Sequence, residues 1–138
     1  MISFFVPGTP VPQGRPRAFR VGNSIGMFDP KKSKEWKKTV AQVAGLQPGR
    51  FQNGALKMTL RFNLPFPKSM KIISWSPAPR HTKRGDLDNY CKSVCDALNE
   101  VCYKDDSQIC ELVAVKRYVE PNMENMETGV HILIEELV

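Results

Sequence analysis

Leu56-Lys57-Met58-Thr59-Leu60-Arg61-Phe62-Asn63-Leu64 sets the frame of this chain. From Ala55 to Leu64, Leu56, Met58, Leu60, Phe62 and Leu64 take one side, and Lys57, Thr59, Arg61 and Asn63 the other. Successive strand side chains point to opposite faces, so the run is a half-buried β-strand with one apolar face. Such a face must pack against another layer. Downstream, Asp86 to Glu100 reads as a helix: Cys91, Val94, Cys95, Leu98 and Cys102 form an apolar stripe at helical spacing. Ile109 to Val119 is a strand rich in β-branched residues, Pro121 to Gly129 a polar turn, and Val130 to Glu135 a last alternating strand.

Upstream, Asp29-Pro30 is a helix start, with Asp as N-cap and Pro at the first helical position. That helix runs to about Ala44, where Gly45 stops it, and Trp36, Val40 and Val43 form its apolar stripe. Ala18 to Val21 and Ile25 to Phe28 form a short hairpin around Gly22-Asn23, and Ile2 to Val6 a first strand. Between them, four prolines and two glycines in Pro7 to Arg17 forbid a helix and leave a stiff extended loop that delivers Arg15 and Arg17. The expected fold is α+β: one domain over residues 1–138, with a mixed sheet covered by two main helices.

Charge divides the chain. Residues 1–85 carry 16 basic and 2 acidic side chains, and residues 86–138 carry 4 basic and 12 acidic, for a net charge of +6. Such asymmetry points to a polyanionic partner. Lys31, Lys32, Lys34, Lys37 and Lys38 crowd the first helix, a pattern that also suits a plain solvated face. Pro65 to Gly85 is an irregular insertion carrying Lys68, Lys71, Arg80, Lys83 and Arg84. Loops this long are usually functional or disordered, and this one is expected to touch substrate, with Trp75 as a stacking group or a packing anchor. Arg15, Arg17, Lys31, Lys32, Lys68, Lys71, Arg80, Lys83 and Arg84 are the candidate phosphate contacts.

The acidic half holds the candidate chemistry. Positions four apart on a helix lie about 40° apart, so Asp88, Lys92 and Asp96 share one face beside the buried stripe. Asp86 stands at the helix start, free to turn its carboxylate toward Asp88. Asp105 and Asp106 follow the helix; neighbours in an extended segment point to opposite faces, so one of them, not both, suits a ligand. Magnesium usually keeps several waters and takes one or two carboxylates plus a substrate phosphate. Asp86, Asp88 and Asp106 are the candidate ligands, with Asp105 as the substitute, and Lys92 the candidate cation beside the phosphate. A purely structural account of the same residues makes Asp86 an ordinary N-cap and Asp88 with Lys92 an i,i+4 ion pair worth ~0.3–0.5 kcal/mol.

Other chemistries lack their parts. Cys91, Cys95, Cys102 and Cys110 show no C-x-x-C pair, so buried apolar thiols are expected rather than zinc or disulfides. His131 reads as structural and His81 as a phosphate contact. No G-x-x-x-x-G-K-[ST] loop is present, so no nucleotide cofactor is expected. No apolar run approaches the ~20 residues of a membrane span. Met1 to Pro7 lacks the basic lead and apolar core of a secretory signal, and the expected location is cytoplasmic.

D-L-D-N-x-x-K from Asp86 to Lys92, D-A-L-N from Asp96 to Asn99 and D-D-S-Q-I from Asp105 to Ile109 together resemble the RusA family of Holliday-junction resolvases. The opening V-P-G-T-P-V-P-Q-G-R-P-R is similar to the start of many phage-borne members. The resemblance implies a RusA-like fold and a homodimeric endonuclease using Mg2+, with Mn2+ as a substitute, that places paired symmetric nicks across four-way DNA junctions. It maps the family's essential aspartates onto Asp86, Asp88 and Asp106 and its lysine onto Lys92. Gly85 departs from the basic residue or proline common at that place, and the segment from Pro65 to Arg84 is longer than in compact members. Two other readings stay open on the residues alone: a non-catalytic accessory protein that binds branched DNA, and a metal nuclease acting on flaps or linear DNA.

Overall fold

The structure, a computed structural model, describes residues 1–14, 17–22, 24–28, 30–49, 51–67, 80–119 and 126–138, with no side-chain description for 17–21 and 24–28. Among the described residues, six strands and two α-helices run in the order β1 (Ile2–Pro7), β2 (Arg17–Val21), β3 (Ser24–Phe28), α1 (Lys31–Gly45), β4 (Leu56–Leu64), α2 (Leu87–Ala97), β5 (Ile109–Tyr118) and β6 (Gly129–Glu136). Four strands form a mixed sheet in the order β1-β6-β4-β5, parallel only between β4 and β5, while β2 and β3 pair as a separate hairpin. The α+β class and the two covering helices stand as expected.

The alternating run is the centre of the sheet. Leu56, Met58, Leu60, Phe62 and Leu64 are all buried, joined by Phe4 and Val6 of β1 and Val130, Ile132 and Ile134 of β6. Against this face pack Trp36, Val40 and Ala44 of α1 and Tyr90, Cys91, Val94 and Cys95 of α2. The opposite row of β4, Lys57, Thr59 and Arg61, looks away from the helices beside His131 and Leu133 of β6 and Val113 and Val115 of β5. Asn63 in that row is buried because its amide is used: Nδ2 donates to the Glu127 carbonyl (3.1 Å), and Oδ1 accepts from Arg117 Nε (2.8 Å).

Element ends correct the sequence expectations. α1 begins at Lys31 with Pro30 as its N-cap, one residue later than expected, and Asp29 lies outside the described residues. Gly45 is the last helical residue rather than a stop. The end is closed at Leu46, whose N–H donates to the Val43 carbonyl (3.2 Å), and the Gln47 side chain donates to the same carbonyl (3.1 Å). α2 stops at Ala97, three residues short of Glu100. Glu100 adopts φ +63° and its N–H donates to the Tyr103 carbonyl (2.7 Å), so the chain reverses there instead of extending the helix.

Candidate active site

Asp86 precedes α2 in an extended conformation (φ −69°, ψ 136°), and its carboxylate makes no capping hydrogen bond. Asp88 lies in the first turn, and Lys92 bonds Asp96 (Nζ to Oδ1, 3.2 Å) rather than Asp88. The purely structural roles, side-chain cap and Asp88–Lys92 pair, are therefore both unused, and among the described residues Asp86 and Asp88 remain exposed with unengaged carboxylates. Asp96 is committed: Lys92 and Lys37 (3.9 Å) both approach it, tying α2 to α1.

The turn that delivers Asp86 is held from several sides. Gly85 has φ +102°, and a Cβ there would come within 2.6 Å of the Tyr90 ring (Cε2). Tyr90 is buried against Phe62, ring centroids 5.4 Å apart, so it cannot give way freely. This is why glycine stands where the resemblance leads one to expect a basic residue or proline: proline is fixed near φ −65°. Lys116 of β5 donates to the carbonyls of Lys83 (3.1 Å) and Gly85 (2.8 Å). The His81 ring packs on Tyr118 (4.5 Å), and Phe66, at the other end of the insertion, meets the same tyrosine edge-on (5.6 Å). His81 thus serves as an anchor of the loop neck, where the sequence suggested a phosphate contact. On the N-terminal side, the Gln13 N–H donates to the Asn89 carbonyl (2.9 Å), bringing the proline-rich loop to the first turn of α2.

The second acidic pair divides its labour. Asp105 N-caps a single 3-10 turn, Asp106–Gln108: its carboxylate accepts from the Ser107 N–H (3.3 Å), and Gln108 Oε1 accepts from the Asp105 N–H (3.1 Å), a reciprocal capping box. Hydrogen bonds from the Ser107 side chain and then its backbone N–H hold the Asp105 carboxyl below its ordinary range. Gln108 Nε2 reaches across to the Gly54 carbonyl (3.0 Å), fixing the turn to the loop before β4. Asp106 takes no part in the capping box; its side chain meets that of Asp105, and it lines a notch of about 260 Å³ with Cys95, Ile109, Cys110, Glu111 and Leu112.

That notch adjoins the second half of α2, not its start. From residue 86 to residue 95 a helix advances about 13 Å at ~1.5 Å per residue. Asp86 and Asp88 thus both stand at the start of α2, and Asp106 lies near its other end, with Lys92 between. Among the described residues no group of three or more His, Cys, Asp or Glu side chains converges to hold a metal ion within one chain. Asp86 with Asp88 nonetheless fits magnesium chemistry, which takes one or two carboxylates and fills its shell with water and phosphate oxygens.

Of the candidate phosphate contacts, Lys31, Lys32, Arg80, Lys83 and Arg84 are exposed, Lys31 standing 3.9 Å from Glu35. Arg15, Lys68 and Lys71, together with Trp75, lie outside the described residues; Arg17 lies in β2, its side chain undescribed. Cys91, Cys95 and Cys102 are buried as expected, their thiols pushed up by burial to about 11, about 12 and about 11. Cys110 is exposed. Among the described residues no helix is long and apolar enough to cross a membrane. Lys116 escaped the sequence reading. Its signal was parity: it shares the row of Leu112 and Ala114, which pairs with the buried row of β4, and a lysine there needs a partner.

With this geometry in hand, comparison with known proteins defines the class. The family described as Endodeoxyribonuclease RusA matches residues 7–134, and the chain belongs to that family of nucleases acting on DNA. A similar protein is the uncharacterized protein YqaN of Bacillus subtilis (strain 168), 41% identical over 133 residues, covering 91% of this chain and 94% of that protein.

Proposed function

We propose that this protein is a Mg2+-dependent endonuclease that resolves four-way DNA junctions by paired symmetric nicks. The observation that carries the reading is the unspent carboxylate pair, Asp86 and Asp88, on a braced turn in a chain of RusA kinship. A divalent ion bound there supplies a water of lowered pKa and a positive charge for the phosphoryl oxygens. The chain's own residues do the rest. Asp86 and Asp88 hold the ion. Lys92 swings from Asp96 to the scissile phosphate and steadies its developing charge. Arg80, Lys83, Arg84, Lys31 and Lys32 grip the arms, so binding weakens steeply with salt through counterion release.

A two-fold substrate suits a two-fold enzyme. β5 supports this half of the reading: it is a ten-residue sheet edge with Leu112 (49%), Val113 (48%) and Val115 (42%) exposed, on both faces of the strand. Long apolar edges are templates for another strand. Glu111 lies toward one end of β5 and Lys116 and Arg117 toward the other, so antiparallel self-pairing is charge-complementary. Centred on Ala114, it sets Glu111 opposite the partner's Arg117 and Leu112 opposite the partner's Lys116. The partner's turn before α2 then arrives at the notch of Asp106, and each metal site draws Asp86 and Asp88 from one copy and Asp106 from the other.

The test is nicking of synthetic four-way junctions by the pure protein with Mg2+. Wild type is expected to nick, and Asp88→Asn to bind without cutting. Failure of wild type across several junction sequences would sink the reading in favour of an accessory DNA-binding protein; equal cutting of flaps or linear duplex would move it to a general metal nuclease. Mixing inactive Asp88→Asn with inactive Asp106→Asn subunits should restore single-strand nicking, because one of the two shared sites regains all its carboxylates. Mixtures that stay dead place all three in one chain.

A further inference from the structure

Lys116 is a basic residue whose hydrogen bonds are to main chain alone. It stands on β5 opposite Phe62, on the helix-covered side of the sheet, and its ammonium bonds two carbonyls, Lys83 at 3.1 Å and Gly85 at 2.8 Å. Those carbonyls flank Arg84, and that of Gly85 immediately precedes Asp86. The turn between them cannot choose its shape freely, since Gly85 sits at φ +102° against the Tyr90 ring. One lysine on a rigid strand therefore ties down the segment that aims both a phosphate-binding arginine and a metal-binding carboxylate. A charged donor to a carbonyl is stronger than a neutral one, and two such bonds on one nitrogen fix direction as well as distance. The His81 ring on Tyr118, two residues along the same strand, anchors the turn a second time.

We infer that Lys116 is a positioning residue for the metal site: it sets the Lys83–Gly85 turn so that the carboxylates of Asp86 and Asp88 meet one ion. This rests on the nuclease reading above and adds a residue that neither touches the phosphate nor binds the ion. Arginine on the same strand can span both carbonyls with its fork of donors; methionine keeps the stem and loses the charge and both bonds.

The experiment compares wild type, Lys116→Met and Lys116→Arg. Mn2+ binding is followed by electron paramagnetic resonance without DNA, and hydrogen exchange of the amides from Arg84 to Asn89 by mass spectrometry. The Mg2+ midpoint of junction nicking is measured at saturating junction. Lys116→Met is expected to weaken Mn2+ about 10-fold, the lower end of the roughly 10–100-fold seen for groups that orient metal ligands. It should raise the Mg2+ midpoint in step and speed exchange across the turn. Lys116→Arg is expected to recover most of the metal affinity. Wild-type Mn2+ affinity and Mg2+ midpoint in Lys116→Met, with wild type nicking normally, overturns the inference and leaves the nuclease standing. Should wild type bind Mn2+ yet cut nothing, weakened binding in Lys116→Met upholds the inference while the nuclease reading falls. If Lys116→Met does not fold, Lys116→Gln, which keeps one donor, takes its place under the same criteria.

Discussion

At the scale of single residues, neighbouring side chains of identical chemistry are separated by what they already do. Asp105 closes a capping box and Asp106 takes no part in it, so the ligand role proposed for this pair falls to Asp106. Asparagine caps about as well as aspartate. Asp105→Asn is therefore expected to nick junctions at close to the wild-type rate, whereas Asp106→Asn should lose roughly 100-fold or more, as measured by single-turnover cleavage. Comparable losses in both variants would put Asp105 in the site. The sequence reading favoured Asp106, with Asp105 as the substitute, but the capping box that occupies Asp105 was not legible there, because it is braced by Gln108 reaching Gly54, 54 residues away.

At the scale of elements, the piece that matters is the junction of the basic insertion with α2. Its conformation is carried by a glycine at positive φ against a buried tyrosine. Gly85→Ala meets both a left-handed backbone cost of about 1–2 kcal/mol and the Tyr90 ring. The expected outcome is a lower thermal midpoint together with a raised Mg2+ requirement; an alanine variant with wild-type values for both would show that the turn relaxes at no cost. The helix itself was legible. Cys91, Val94, Cys95 and Leu98 are buried as their spacing foretold, and burial raises the cysteine thiols into an inert range. Its end was not, because the reversal at Glu100 answers to Tyr103, a buried side chain whose hydroxyl donates to the Cys95 carbonyl (2.7 Å).

At the scale of the whole molecule, both helices lie on one face of the sheet, and β5 is left as an apolar edge. On the dimer proposed above, Val113→Asp, two residues from Glu111, is expected to sediment as a monomer where wild type sediments as a dimer; a dimeric variant would remove β5 from the proposed interface, and a monomeric wild type would remove the dimer itself. The two histidines make a separate whole-fold prediction. His81 is held below the ordinary imidazole value of 6.5 by desolvation and then by Lys116, and His131 by desolvation and then by Arg61 and Arg117. The unfolded chain thus binds more protons than the native one as pH falls through that value. Their contribution is complete above the unfolded pKa and is lost on acidification. His131→Gln is expected to flatten the decline in urea-unfolding stability between pH 7 and 5; an unchanged slope would mean that His131 titrates alike in both states.

Local periodicity determined the strands, the helices and the α+β class. Alternation by two and spacing by 3.6 depend only on which side chains must leave water, and Leu56 to Leu64 or Cys91 to Leu98 carry that information in consecutive letters. The D-x-D-x-x-x-K run likewise announced its own carboxylates, since four-residue spacing is enough to put Asp88 and Lys92 on one helical face. What awaited the fold was everything linking positions far apart in the chain: Lys116 bracing the turn before Asp86, Gln108 tying the cap of Asp105 to Gly54, and the 11-residue α2 lying between Asp86 and Asp106. Such contacts are made by strand order and register, which no nearest-neighbour pattern encodes.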